Sequence, residues 1–86
     1  LTKVLAIEWA THGVNVNGVA PTFLRTPFTA HMFEDKTFYD EVVENIPLGR
    51  VGEVEDILGA VVFMASSASD LITGTTLLVD GGWTAW

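Results

Sequence analysis

Two short apolar segments, Val14–Val19 and Thr76–Val79, constrain this chain more than any other feature. In the first, Val14 and Val16 alternate with Asn15 and Asn17, which is the period of a strand. In the second, Leu77, Leu78 and Val79 are consecutive, as in a strand covered on both faces. Between them Val54, Ile57, Leu58, Val61 and Ala65 recur at steps of three and four, which predicts an amphipathic helix. Two strands joined through a helix make a parallel pair with a right-handed crossover. Such a pair has an open edge on each side and apolar faces that need cover. The sequence therefore predicts part of a doubly wound α/β sheet, with the remaining strands supplied elsewhere.

The flanking segments fit that frame. Leu1, Val4, Leu5 and Trp9 form an apolar stripe on a helix running to about residue 12, and Gly13 follows where a C-terminal cap needs positive φ. Asn15 and Asn17 share the other face of the first strand and need partners, which neighbouring loops can supply. Pro21 ends that strand and Pro27 punctuates the loop after it. A helical turn fits Thr29 to Met32. Asp35 or Thr37 caps a further helix containing Phe38, Val42, Val43 and Ile46, which Pro47 stops. Leu48 to Gly52 reads as a loop. Glu53, Glu55 and Asp56 place negative charge at the positive end of the helix that follows, and Ser66, Ser67 and Ser69 close it. Asp80-Gly81-Gly82 turns the chain after its last strand.

Eighty-six residues suffice for one small domain, residues 1–86, yet 49% are hydrophobic and three are tryptophan. So much apolar surface in so short a chain points to contact with something outside it. Leu1 is not methionine and already belongs to a helical pattern, which suggests a segment of a longer protein.

Charge and composition narrow the classes of partner. The formal charge is -7, and the four basic residues Lys3, Arg25, Lys36 and Arg50 are scattered. A phosphate backbone or an anionic membrane would be repelled, so neither nucleic acid nor membrane is expected as a partner. The longest apolar run, Ile57 to Ala65, is too short to span a bilayer, and no signal peptide opens the chain. No cysteine is present, which excludes disulfides and thiolate metal sites and fits a cytoplasmic location. His12 and His31 stand nineteen positions apart with no helical histidine pair, so no metal site is expected.

Four segments in this order resemble the C-terminal part of short-chain dehydrogenase/reductases. Leu1-Thr2-Lys3 through Ala10 resembles the continuation of the helix that carries the family's catalytic Tyr-x-x-x-Lys. Val14-Asn15-Val16-Asn17-Gly18-Val19-Ala20-Pro21 is similar to its sixth strand. Pro47-Leu48-Gly49-Arg50-Val51-Gly52-Glu53 is similar to the segment before its next helix. Thr73 through Val79-Asp80-Gly81-Gly82-Trp83 is similar to its last strand. The likeness covers essentially the whole chain and is nearest to the sugar, gluconate and ketoacyl reductases.

That resemblance implies that residues 1–86 are the C-terminal segment of a single NAD(P)-binding domain built on a Rossmann-type sheet. It also implies hydride transfer between NAD or NADP and a small carbonyl or secondary alcohol, within a homo-oligomer that is a dimer or tetramer. It places Pro21, Thr22, Leu24 and Thr26 at the cofactor, with Leu24 backbone groups and the Thr26 hydroxyl on the nicotinamide carboxamide. It places Phe28, Met32 and Tyr39 in a substrate lid. On the residues alone, Thr26 equally caps a turn before Pro27, and the lid aromatics equally pack two short helices. Thr22 stands where the family usually has glycine, and a β-branched residue there is stiffer. No catalytic residue is assigned: Tyr39 is followed four positions later by Val43, and Lys3 has no tyrosine four positions before it. The choice between NAD and NADP rests on a residue after a strand outside this chain. Trp83 and Trp86, close to the last residue, suggest a subunit interface. The rival expectation is a truncated, non-enzymatic relative that only packs or binds a partner.

Overall fold

A computed structural model describes all residues, Leu1–Trp86. Its elements follow the order α1 (Thr2–Ala10), β1 (Gly18–Pro21), β2 (Leu24–Arg25), α2 (Ala30–Phe33), α3 (Lys36–Glu44), β3 (Gly52–Glu53), α4 (Val54–Ala65) and β4 (Thr76–Val79). Short 3-10 turns at Ser67–Ser69 and Trp83–Ala85 follow α4 and β4. β1 and β4 pair in parallel, from Gly18 opposite Thr76 to Pro21 opposite Val79. α4 lies between them in sequence and packs on both.

The predicted first strand begins four residues late. Val14 to Asn17 lie outside the ladder because their polar groups bond to the segment before β4 instead. Asn15 Nδ2 donates to Asp70 O at 2.9 Å, and Asn17 Nδ2 donates to Ile72 O at 2.8 Å. The Val16 N–H donates to Thr73 Oγ1, and the Thr75 N–H donates to Asn17 Oδ1. The two asparagines thus find their partners in a neighbouring loop, and these bonds set the register in which β1 meets β4.

A second parallel pair has no counterpart in the sequence pattern. Leu24 lies opposite Gly52 and Arg25 opposite Glu53, so the segment read as a loop up to Gly52 ends in a strand. With only two residues on each side, this pairing carries no apolar periodicity.

α3 also ends earlier than its apolar pattern, at Glu44. Asp35 caps it, accepting from the N–H groups of Thr37 and Phe38. Beyond the helix, the Ile46 N–H bonds back to Val43 O, and the Gly49 N–H to Ile46 O. Ile46 thus sits on a turn rather than on the helix, and that turn aims it inward: it is 4% exposed. With Val42 and Val51 it forms the buried cluster, flanked by Phe23, Phe33, Phe38, Tyr39, Val43 and Trp83. The core therefore lies beyond the ends of β1 and β4, where the long excursion folds back.

Elsewhere the apolar surface is open. Val4, Ile7 and Trp9 of α1 and Val54, Leu58, Val61 and Val62 of α4 are exposed, while Leu5 and Ala6 turn inward. A helix that is apolar all round is built to be covered on more than one side. The accessible surface is 6082 Å², against about 5,000 Å² for a compact protein of this mass. The radius of gyration is 15.7 Å, against about 12 Å for a compact chain of this length. Both excesses say that this chain alone does not enclose its apolar faces. No helix is long and apolar enough to cross a membrane.

Candidate functional site

β1 and β4 run parallel and end side by side at Pro21 and Val79. The segments that follow, Thr22–Leu24 and Asp80–Gly81, bound a cavity of about 170 Å³, closed on its other sides by Ile46, Leu48, Arg50, Gly52 and Asp56. Open α/β sheets bind ligands at this edge, where loops diverge from the carboxyl ends of parallel strands.

The floor of the cavity is held by charge and by close packing. Arg50 grips Asp56 with two guanidinium nitrogens, at 2.8 and 3.1 Å, and also donates to Val51 O. Asp56 further accepts the Glu53 N–H at 2.8 Å, at the start of α4. The bond from Arg50 holds the Asp56 carboxyl down at about 2, with the Glu53 N–H acting in the same direction. The same bond raises the Arg50 guanidinium above its ordinary value. Asp80 is engaged in its own turn. It accepts from the Gly82 N–H and from the N–H and hydroxyl of Thr84, and the Thr84 hydroxyl, then the Gly82 N–H, lower its pKa. This is the turn expected for Asp80-Gly81-Gly82.

The four residues expected at a cofactor all follow β1 or close it, but they do not share one surface. Thr22 and Leu24 line the cavity, whereas Pro21 and Thr26 do not. The Thr22 N–H faces Val79 O at the end of the β1–β4 ladder, whereas the hydroxyl of Thr22 and the N–H of Phe23 donate no hydrogen bond within the chain, so these two donors stand unspent beside the cavity. Thr26 is built into a turn: its hydroxyl accepts the Thr29 N–H at 3.2 Å and lies 3.1 Å from the Thr29 hydroxyl, which in turn donates to Leu24 O at 2.7 Å. A threonine hydroxyl can donate once and accept twice, so the turn leaves Thr26 with capacity for a further partner.

The three residues expected in a lid are spread over the excursion. Phe28 is 83% exposed, and Met32 is exposed on α2. Tyr39 is half-buried. It meets Phe33 edge-on at 6.2 Å between ring centres and lies under the Arg25 guanidinium, 5.9 Å from its ring centre. Tyr39 lines a second, shallower depression with Arg25 and Glu53, and Phe28 and Met32 line neither.

Sequence reasoning missed the contacts that shape the cavity. Phe23 packs on Trp83 with ring centres 5.4 Å apart, so Trp83 closes the core of its own chain while Trp86 stays 83% exposed. Arg50–Asp56 and Arg25–Glu53 join residues whose spacing carries no periodic signal. Only the Glu53–Asp56 spacing ahead of an apolar run hinted at a capped helix start. No three histidine, aspartate or glutamate side chains are close enough to share a metal ion.

Residues 1–84 match the family model described as enoyl-(acyl carrier protein) reductase. The chain is 45% identical over 85 residues to the 2-dehydro-3-deoxy-D-gluconate 5-dehydrogenase of Escherichia coli K12, which covers 99% of this chain and 34% of that protein. A gluconate 5-dehydrogenase from Burkholderia cenocepacia, solved in complex with NADP and tartrate, superposes with a TM-score of 0.91 at 40% identity, covering 99% of this chain and 33% of that one. A short-chain type dehydrogenase/reductase from Mycobacterium ulcerans superposes with a TM-score of 0.93 at 32% identity, over 98% of this chain and 30% of that one. The chain thus spans about a third of the length of the relatives it matches.

Proposed function

The chain belongs to the short-chain dehydrogenase/reductase family, and on that premise we propose that it forms the nicotinamide side of an oxidoreductase site. The reaction is hydride transfer between NAD(H) or NADP(H) and a carbonyl or secondary alcohol, with sugar acids as the substrate class suggested by the relatives' names. One observation carries the reading: a cavity at the carboxyl ends of two parallel strands, bordered by unspent donors on Thr22 and Phe23.

The donor set suits a carboxamide, which needs both donors and acceptors. Backbone groups around Thr22 and Leu24 and the hydroxyl of Thr26 would orient the nicotinamide, with Pro21 fixing the direction in which the loop leaves β1. Hydride chemistry is what the cofactor supplies when bound. Phe28, Met32 and Tyr39 would shape the substrate side and exclude water. No group in this chain stands ready as the general acid or base, since its only tyrosine, Tyr39, has no lysine four positions on. The open faces of α1 and α4 are assigned to the rest of the sheet and to a second subunit of a homo-oligomer. A soluble, cytoplasmic enzyme with neither nucleic acid nor membrane as partner completes the reading.

The test is a chimera in which residues 1–86 replace the matching third of the Escherichia coli relative. It should fold, bind NADH or NADPH and turn over a sugar acid. In that background Thr26→Ala should weaken the cofactor Kd several-fold, on the order of 1 kcal/mol for one neutral hydrogen bond, and Thr26→Ser should restore it. A folded chimera that binds neither cofactor refutes the proposal and favours a non-enzymatic relative. Unchanged Kd with a lowered unfolding midpoint in Thr26→Ala returns Thr26 to the turn alone.

A further inference from the structure

β2 is two residues long, and successive side chains of a strand point to opposite faces. Leu24 accordingly lines the cavity beyond β1, while Arg25 lies in the shallower depression behind it with Tyr39 and Glu53. That depression does not suit an anionic ligand. Its two arginines face Glu53, Glu55 and Asp56, and both are already engaged: Arg50 with Asp56 at 2.8 Å, and Arg25 with Glu53 at 3.2 Å. What Arg25 does instead is join three elements. It belongs to β2, pairs with the residue that leads into α4, and covers the ring of Tyr39 on α3.

The backbone at this junction is thinly held. One bond from the Gly52 N–H to Phe23 O, at 2.7 Å, accompanies the two-residue pairing of β2 with β3. Packing there is tight: a Cβ on Gly52 would lie 2.6 Å from Leu24 Cδ2. A shift of β2 relative to β3 would therefore move Leu24 within the cavity, and side-chain ties decide whether β2 shifts.

We propose that Arg25 is a positioning residue that, from the far side of β2, fixes the loop Thr22–Thr26 against both α4 and the α2–α3 excursion. The role in turnover rests on the functional reading above. Because that loop also borders the cofactor cavity, the loss of Arg25 would be felt both by the cofactor and by a substrate seated between loop and excursion. A lysine would keep the charge opposite Glu53 but could not lie flat on the Tyr39 ring.

The experiment compares Arg25→Gln, Glu53→Gln, the double variant and Arg25→Lys in the native full-length protein. Hydrogen exchange at the amides of Gly52 and Thr26 should quicken about two- to fivefold in each single variant, the range for a half-exposed ion pair. The double variant should be no faster than Arg25→Gln, since the two residues act as one contact. KM for the carbonyl or alcohol substrate and the cofactor Kd should both rise by a similar factor, and Arg25→Lys should recover only part of the loss. Unchanged exchange, or single effects that add in the double variant, overturns the clamp. Faster exchange with wild-type kcat/KM in an active enzyme overturns the positioning role. If the wild-type protein binds neither NADH nor NADPH, the oxidoreductase reading fails by itself, and exchange still decides whether Arg25 holds the loop.

Discussion

Replacing Gly81 by alanine should test how the turn after β4 is fitted to the core. Gly81 has φ of +62°, and a Cβ there would lie 2.6 Å from Ile46 Cγ2 and 3.7 Å from Leu48 Cβ. Ile46 is 4% exposed and packed with Val42 and Val51, so it has little room to yield. The left-handed backbone alone should cost about 1–2 kcal/mol for an L-residue. Forcing a methyl into a packed core adds about 1–3 kcal/mol. Gly49 supplies the control: its φ is +78°, and a Cβ there would meet nothing within 4 Å. Gly49→Ala should therefore show the backbone cost without the steric one. Urea unfolding of the native protein gives both values, provided the slope with denaturant is unchanged. Removing Cγ2 by Ile46→Ala should make Gly81→Ala cheaper by the steric share, about 1–3 kcal/mol of coupling. Equal losses in Gly81→Ala and Gly49→Ala, with no coupling to Ile46, would refute the claim that the turn is seated against Ile46.

Three further outcomes are expected. Asp56 has its folded pKa lowered from 3.8 to about 2, so the unfolded chain binds more protons between those values and stability falls as pH drops through that window. Asp56→Asn should flatten that stretch of an acid-unfolding curve, and an unchanged curve would mean that Arg50 does not hold the carboxylate in solution. Asp35→Ala removes the acceptor for the Thr37 and Phe38 N–H groups at the start of α3. It should lower stability by about 1 kcal/mol by chemical denaturation, with Asp35→Asn close to wild type. Trp83→Ala, which strips a partner from Phe23 in the core, should lower the unfolding midpoint, whereas Trp86→Ala should leave it and shift the oligomer toward smaller species on dilution. Light scattering across a concentration series reads the second effect, and an unchanged mass at every dilution would remove Trp86 from any interface.

The sequence by itself determined the alternation of helix and parallel strand, because apolar period is a local property that each segment carries alone. It narrowed the cap of α3 to Asp35 or Thr37, of which the structure uses Asp35, and it determined the turn at Asp80-Gly81-Gly82, since capping and turn residues act within a few positions of themselves. It also carried the excess of apolar residues, which the open faces of α1 and α4 display. Tertiary structure alone decided the rest. Asn15 and Asn17 trade a longer strand for bonds to carbonyls more than fifty positions away. β2 and β3 are too short to have a period, and exist only because the excursion returns Gly52 to Phe23. Trp83 reads as an interface residue by its nearness to the last residue, and only the fold shows that it also packs on Phe23, sixty positions earlier, against the buried cluster of its own chain. The cavity is a product of the same return: Thr22 and Leu24 meet Arg50, Gly52 and Asp80 only once the chain closes on itself. Contacts between residues distant in sequence depend on the path of everything between them, and no local pattern encodes that path.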